Sequence, residues 1–240
     1  MGRLFVKGQL SIGATVMPSP GETHYLKDVL RLTPGDLIVL ADEGGHEFRA
    51  RLATRSGRRI ILDIVEEMPP RPEPFISISL FVGLVKGRKI ERIVRDAAQL
   101  GVSSLTPFLS SRTIPRDIGD MKLLRMKKIA GEESRLARRN RPLEVLSPLT
   151  FPEAIAAREG FSVILWENEV RYIGEVLSEQ RDLPRAVSIF TGPEGGFSEP
   201  EIALARAAGL AAARLGGRIL RAETAPLVAA AIIQYEWGDL

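Results

Sequence analysis

Hydrophobic and polar residues alternate with a period of two through the first part of the chain. Four segments with this pattern predict strands: Arg3–Val6, Asp36–Leu40, the alternating Phe48, Ala50 and Leu52, and Ile60–Val65. Asp42–Gly45 supplies turn residues between two of these strands, and Glu22–Leu30 has the spacing of a helix. The pattern therefore predicts a small β-barrel or sandwich with one helix.

A proline-rich segment follows this region. Met68–Pro74 contains four prolines, and proline removes a backbone donor and biases the residue before it to an extended conformation. Neither a strand nor a helix can continue through such a segment. We therefore expect a linker, with one domain over residues 1–72 and a second over residues 73–240.

Beyond the linker, buried strands alternate with helical periodicity. Predicted strands are Phe75–Val82, Leu105–Leu109, Ser162–Trp166 and Ala186–Phe190. Predicted helices are one with Ile90, Ile93, Val94, Ala97 and Leu100 inward and Gly101 as C-cap, Asp120–Arg138 with Leu123, Met126, Ile129, Ala130 and Ala137 inward, and Pro152–Ala157. This alternation predicts a parallel α/β sheet, whose ligand sites lie beyond the carboxyl ends of its strands. Functional loops are therefore expected after Trp166 and Phe190.

Composition removes several classes of site. The 240 residues include no cysteine and only two histidines, His24 and His46, which excludes thiolate zinc sites and histidine-rich metal centres, so no metal is expected. No apolar stretch approaches the roughly 20 residues of a membrane span, and the amino terminus has no apolar signal-peptide core. We expect a cytoplasmic protein without membrane contact.

Charge is distributed unevenly. Residues 112–141 carry a net charge of +6, whereas residues 142–240 carry −6. A basic block of this kind favours a polyanionic partner, because cations that neutralise phosphates release counterions. A solvated helix face explains the block equally well on charge alone.

Two glycine-rich segments carry the candidate chemistry. Thr191–Glu201 follows a predicted strand and has Ser198 and Glu201 in the spacing of a capping box. Leu215–Ala225 leads into an apolar helix with Thr224 as a candidate N-cap. Either segment alone is compatible with a plain connection whose apolar residues fill the core. Neither has the glycine spacing of a P-loop or a Rossmann fingerprint.

Together the two segments resemble a known family. Gly192–Gly196, followed by Leu215-Gly216 and Ile219–Ala225, is similar to the paired carboxyl-terminal motifs of RsmE-type RNA methyltransferases of the SPOUT superfamily. Lys86-Gly87-Arg88, Arg139–Pro142 and His24-Tyr25-Leu26 also resemble that family. The sequence departs from it at Asp96 and Gln99 and at Arg135 and Leu136. The likeness covers nearly the whole chain.

The resemblance implies a fold and a reaction. It implies an α/β fold in which a small amino-terminal PUA-like β-barrel domain precedes a SPOUT domain, a parallel sheet with a trefoil knot. It further implies transfer of a methyl group from S-adenosylmethionine to N3 of a uridine in 16S ribosomal RNA of the 30S subunit, uracil-1498 in the family. The alternative is a non-catalytic RNA-binding or ribosome-assembly protein that kept the fold.

The resemblance also implies the site residues. Expected cofactor contacts are Leu165, Trp166, Glu167, Thr191, Gly192, Pro193, Gly195, Gly196, Leu215, Gly216, Arg218, Ile219, Leu220, Thr224 and Ala225. Because uracil N3 carries a proton, a base is needed, and the candidate catalytic residues are Glu194, Glu223 and Arg221. Expected RNA contacts are Arg3, Arg31, Lys86, Arg88, Arg112, Arg116, Arg138, Arg139 and Arg141.

The final helix bears on oligomeric state. From Pro226 to Trp237 it is apolar around most of its circumference, and such a helix should be buried on several sides. Its own domain could cover it. The family resemblance favours a homodimer in which each site is completed across the interface.

Overall fold

The computed structural model describes residues 2–56, 59–69, 74–114 and 117–240, and it divides into two units. The first unit comprises Met1–Glu73 with Arg138–Pro142, and the second comprises Pro74–Ala137 with Leu143–Leu240. Part of the predicted linker, residues 70–73, lies outside the described residues, and so does the domain boundary predicted at residue 72.

In its described residues, the first unit is built on a β-sheet with a single helical segment. Its strands are β1 (Arg3–Phe5), β2 (Thr15–Val16), β3 (Leu37–Ala41), β4 (Glu47–Ser56) and β5 (Arg59–Glu67), in the order β1-β3-β4-β5-β2. Among these five strands, β1 and β3 pair in parallel and the other pairs are antiparallel. The predicted alternation is confirmed on β4, since Phe48, Ala50 and Leu52 are all buried in one core. The predicted helix consists of α1 (Pro20–His24), capped by Ser19, and a π-helical turn (Tyr25–Val29).

One of the predicted RNA contacts, Arg3, lies buried in the first unit. It is only 5% exposed, its guanidinium forms an ion pair with Glu47 at 2.5 Å, and it donates to the carbonyl oxygen of Arg139. Breaking a buried pair of this kind typically costs about 3–5 kcal/mol, because one charge is left uncompensated. Arg3 therefore stabilises the first unit, and its guanidinium has two partners within the protein where we expected a contact with RNA.

The second unit contains a parallel sheet. Its strands are β6 (Ser77–Gly83), β7 (Ser104–Leu109), β8 (Glu144–Val145), β9 (Leu149–Thr150), β10 (Phe161–Leu165), β11 (Ala186–Thr191) and β12 (Ala211–Ala213). The order is β12-β10-β11-β6-β7-β8, and β9 also pairs with β7. Every pairing is parallel. The carboxyl ends of β6, β10 and β11 therefore meet at one edge.

Helices flank this sheet. They are α2 (Lys89–Gln99), α3 (Asp120–Leu136), α4 (Phe151–Ala156), α5 (Ile173–Ser178), α6 (Glu199–Ala207) and α7 (Ala225–Trp237). The predicted inward face of α2 is confirmed by the burial of Ile90, Ile93, Val94 and Ala97. The helix is capped by Leu100, and Gly101 follows with the left-handed φ of +77° that is typical of the residue after a C-cap. The helix α3 ends at Leu136, so Ala137, which we expected to face inward, is exposed.

The observed architecture confirms the predicted fold class, an α/β parallel-sheet domain with a small β domain. Within the part of the chain that the structure describes, no helix combines the length and apolar character needed to cross a membrane.

Candidate functional site

The first glycine loop, Gly192–Gly196, follows β11 at the carboxyl edge of the sheet and is fixed at both ends. Phe197, directly after it, is buried and packs against Phe108 and Phe151, with ring centroids 6.0 and 5.4 Å apart. At the start of the loop, a Cβ on Gly83 would come within 2.5 Å of the backbone nitrogen of Pro193. The close approach of β6 thus requires a glycine at position 83.

Glu194 ties the middle of this loop to the start of α2. Its carboxylate accepts hydrogen bonds from Lys89 Nζ at 2.8 Å and from the Lys86 backbone N–H at 3.1 Å. Burial raises the pKa of Glu194, but the hydrogen bonds from Lys89 and from backbone N–H groups outweigh this and hold it below its ordinary value. The same hydrogen bond raises the pKa of Lys89. Both groups are therefore charged at neutral pH.

The second glycine loop, Leu215–Glu223, runs from the end of β12 towards α7 and is much more open. A Cβ on Gly216 or Gly217 would meet nothing within 4 Å. Ile219 is 85% exposed, which is unusual for an isoleucine. Thr224 precedes α7, but its side chain makes no capping hydrogen bond.

The two loops enclose a cavity of about 620 Å³. A volume of this size lies within the range of small-molecule and cofactor sites, which is about 300–1,000 Å³. The residues that line it are Lys89, Leu165, Trp166, Glu167, Thr191, Gly192, Pro193, Glu194, Gly195, Gly196, Phe197, Arg214, Leu215, Gly216, Gly217, Arg218, Ile219, Leu220, Arg221, Ala222, Glu223 and Ala225.

One end of the cavity carries four charged side chains. Glu223 is buried, with Lys89 Nζ 3.8 Å from one carboxylate oxygen and Arg221 3.9 Å from the other. These distances are too long for hydrogen bonds. Among the described residues, the buried Glu223 Oε2 has no hydrogen-bond partner, and neither does the buried Thr191 Oγ1. Two residues of the cavity wall thus each carry a buried polar atom without a hydrogen-bond partner among the described residues.

The structure brings the predicted cofactor and catalytic residues together with one exception. Each lines the cavity except Thr224, which is exposed and lies outside it. The cavity is also lined by five residues that were not predicted: Lys89, Phe197, Arg214, Gly217 and Ala222. Four of them adjoin predicted residues in the motifs. Lys89 directly follows Lys86-Gly87-Arg88, so its place next to this motif could have identified it as a site residue. Its contact with Glu194 could be recognised only from the fold.

The predicted RNA contacts are more scattered. Arg31, Lys86, Arg88, Arg138 and Arg141 are exposed. Within the first unit, Arg141 donates to the Gly44 carbonyl at 2.9 Å. Arg139 is half-buried and Arg112 contacts the first glycine loop. Arg116 lies outside the described residues.

Two departures from the family pattern lie on α2 and make polar contacts there. Asp96 is 3.6 Å from Arg92, and Gln99 donates to Glu133 of α3 at 3.1 Å. The charge of Asp96 is therefore paired, and the neutral amide of Gln99 has a hydrogen-bond partner. In the same described residues, no group of three or more His, Cys, Asp or Glu side chains is placed to hold a metal ion.

Family models match both parts of the chain. An RNA methyltransferase domain matches residues 71–234, and an RNA methyltransferase PUA domain matches residues 19–65. The first match alone covers more than half of the chain and includes the whole cavity.

Named relatives and solved structures agree with these matches. The ribosomal RNA small subunit methyltransferase E of Synechocystis sp. is 36% identical, with 96% of this chain and 76% of the relative covered. The same enzyme of Bacillus subtilis is 28% identical, over 98% of this chain and 97% of the relative. A crystal structure of that enzyme from Neisseria gonorrhoeae, bound to S-adenosyl methionine, superposes with a TM-score of 0.90 at 31% identity, covering 100% of this chain and 99% of that one.

A second solved structure contains the same cofactor. A putative methyltransferase from Legionella pneumophila in complex with S-adenosylmethionine superposes with a TM-score of 0.90 at 25% identity, covering 99% of this chain and 98% of that one. The predicted family, enzyme class and cofactor are therefore confirmed at the level of the family. By its domain matches and its relatives, this chain belongs to the ribosomal RNA small subunit methyltransferase E family.

Proposed function

We propose that this chain methylates N3 of a uridine in small-subunit ribosomal RNA with S-adenosylmethionine as the methyl donor. The observation that carries the proposal is the glycine-walled cavity, in which a buried carboxylate oxygen of Glu223 has no hydrogen-bond partner among the described residues. The family target, uracil-1498 of 16S RNA, is the uridine that we expect.

The cavity suits S-adenosylmethionine in size and in wall chemistry. Gly216 and Gly217 leave open space where other residues would place a Cβ, so the main chain there can approach a ligand. The buried hydroxyl of Thr191 supplies a polar contact. When bound, the cofactor supplies a methyl group activated by its attachment to a sulfonium. The predicted cofactor residues other than Thr224 would hold it.

The two candidate bases differ in how their carboxylates are engaged. Glu194 already accepts two hydrogen bonds, which hold its pKa below the ordinary value. A carboxylate of this kind is a poor proton acceptor. Glu223 is buried at the same end of the cavity and keeps a free acceptor oxygen. We therefore assign the removal of the N3 proton to Glu223 and the positioning of Lys89 to Glu194.

Two cations complete this end of the cavity. Lys89 and Arg221 both lie within 4 Å of the Glu223 carboxylate. Removal of the N3 proton leaves negative charge on the uracil ring, and cations that face developing charge stabilise it. Lys89 and Arg221 would favour the anionic base in this way. The target uridine must also be unpaired or flipped out, because N3 is paired in a duplex.

RNA binding is assigned to the first domain and to the exposed cations. We propose that residues 1–72 form a PUA-like RNA-binding domain and residues 73–240 the methyltransferase domain, as the sequence predicted. Arg31, Lys86, Arg88, Arg138 and Arg141 are exposed, and guanidinium and ammonium groups contact phosphates without reading sequence. They would hold the RNA around the target uridine.

The last helix supports a homodimer. In α7, Ala230 and Ile233 are buried in the second unit, whereas Val228, Ala231 and Ile232 are half-buried and Tyr235 is 77% exposed. One apolar stripe is thus only partly covered by its own unit, which suits an isologous two-fold contact. Light scattering should show twice the chain mass, and a monomer with full activity would contradict this part of the proposal.

A transfer assay tests the reaction. The protein is incubated with methyl-labelled S-adenosylmethionine and unmethylated small-subunit RNA, and the RNA is then digested to nucleosides. We expect the label in 3-methyluridine. Label at uracil C5 or on ribose would overturn the N3 assignment. RNA binding without cofactor binding would favour the alternative, a non-catalytic assembly protein.

A further inference from the structure

The turn that follows β7 is closed by hydrogen bonds between two buried residues, Ser110 and Thr113. The Ser110 backbone N–H donates to Thr113 Oγ1 at 2.9 Å, and the Thr113 N–H donates to the Ser110 carbonyl at 3.1 Å. Both residues are buried. The turn directs the two residues between them, Ser111 and Arg112, towards the first glycine loop.

Glu201 joins this turn to Ser198, two residues after the first glycine loop. Its carboxylate accepts the Ser111 backbone N–H at 2.7 Å and the Ser111 hydroxyl at 2.9 Å. It also accepts the Ser198 N–H at 2.9 Å and the Ser198 hydroxyl at 2.8 Å, as the capping-box spacing predicted. One charged group thus fixes two chain segments, and hydrogen bonds to a charged acceptor are about twice as strong as neutral ones.

Arg112 holds the middle of the same loop. Its guanidinium donates to the Gly195 carbonyl at 2.9 Å. A Cβ on Gly195 would lie 3.0 Å from Arg112 Cβ, so a larger residue at position 195 would push these two segments of the chain apart. The contact differs from the one predicted for Arg112, which was an RNA phosphate.

We propose that Arg112 and Glu201 are positioning residues for the cofactor, which hold the main chain of Gly192–Gly196 in its binding conformation. Neither residue lines the cavity itself. Their effect passes through the loop, whose residues do line it, and small displacements of a binding group are enough to impair alignment. The inference rests on the proposed function, that this cavity binds S-adenosylmethionine.

The test is calorimetric titration of S-adenosylmethionine into the whole protein and its variants. Arg112→Met and Glu201→Gln should each raise the Kd about tenfold or more, the effect expected on losing a charge-assisted hydrogen bond. Arg112→Lys should restore part of the affinity, because one ammonium can still reach the Gly195 carbonyl. The matched control is Lys127→Met, which removes one exposed charge from α3 and should leave the Kd unchanged.

Steady-state kinetics separate positioning from RNA contact. Under the inference, Arg112→Met raises the KM for S-adenosylmethionine and leaves the KM for RNA and the salt dependence of RNA binding as in the wild-type protein. If Arg112→Met instead binds the cofactor normally and loses RNA affinity, the inference is overturned and Arg112 is a phosphate contact. Failure of the wild-type protein to bind S-adenosylmethionine would overturn the proposed function, and the inference with it. Arg112 is exposed, so its variant should fold even where Glu201→Gln does not.

Discussion

The two glycine loops that enclose the cavity differ in how they are held. Gly192–Gly196 is bound from several directions, by Lys89 on Glu194 and by Arg112 on Gly195. Leu215–Glu223 leaves open space at its glycines, and the Arg221 side chain is 85% exposed. One wall is therefore fixed before a ligand arrives, whereas the other can adjust to it.

The same residue type thus serves two different purposes in the two loops. In the first loop, a Cβ on Gly196 would lie 2.9 Å from the Glu167 carboxylate, and its φ of +67° favours glycine. In the second loop, a Cβ on Gly216 would clash with nothing in the protein. Glycine in the first loop permits close packing within the protein, and glycine in the second leaves room for a ligand.

We expect the largest loss of cofactor affinity from a larger side chain at Gly216 in the second glycine loop. Gly216→Val should fold normally, because no protein atom opposes the new side chain, but it should reduce S-adenosylmethionine binding below detection in calorimetry. Gly174→Ala on α5 is the matched control, since its Cβ also meets nothing and Gly174 lies outside the cavity. Wild-type affinity in folded Gly216→Val would place the cofactor elsewhere.

Replacement of the proposed base, Glu223, should have the next largest effect, a loss of kcat. Glu223→Gln keeps the shape of the side chain but cannot accept the N3 proton, and we expect kcat to fall roughly 100- to 10,000-fold with little change in cofactor Kd. Glu199→Gln, an exposed carboxylate on α6, should leave kcat unchanged. A normal kcat for Glu223→Gln would rule out its role as the base.

Charge removal outside the cavity should separate RNA binding from cofactor binding. Replacing Arg138, Arg139 and Arg141 with Ala should lower the slope of log affinity against log salt by about 0.7 to 0.9 for each lost phosphate contact. The measurement is RNA binding over a series of salt concentrations, with S-adenosylmethionine titration as the control. An unchanged slope would indicate that these cations only stabilise the first unit.

The smallest effect concerns the pH dependence of stability. Burial raises the pKa of Glu201, but hydrogen bonds from Ser111 and Ser198 outweigh it and lower the pKa below the ordinary value of 4.5. The charged carboxylate therefore stabilises the fold fully above that pH, and the contribution is lost as the pH falls through the lowered pKa. The difference in unfolding free energy between wild type and Glu201→Gln, about 1 kcal/mol after solvent screening, should shrink below pH 4.5. A difference independent of pH would contradict this origin.

Periodicity predicted the long elements and the six-residue helix α4, but it missed the shortest strands. The strands β10 and β11 were predicted nearly to their ends, because continuous apolar runs identify buried strands. The strand β12 is only three alanines, a sequence without strand-like alternation. A helix over Glu22–Leu30 was predicted, but nothing in its sequence distinguishes the π-helical turn at Tyr25–Val29 from an α-helix.

Side-chain partners were the part of the site that sequence could not supply. The two glycine motifs predicted the cavity walls, because their residues are consecutive in the chain. The ion pair of Arg3 with Glu47 and the contact of Lys89 with Glu194 join distant segments. A charged residue gives no indication of whether it will face solvent, RNA or a buried partner until the fold is known.

Hydrogen exchange with and without S-adenosylmethionine tests whether the two glycine loops form the cofactor site, because it reports on both walls of the cavity at once. We expect slower exchange on cofactor binding in Leu215–Glu223, where the loop is open. We expect a smaller change in Gly192–Gly196, where the contacts already exist. No change in either loop, or protection confined to segments away from the cavity, would contradict the claim that the two glycine loops form the cofactor site.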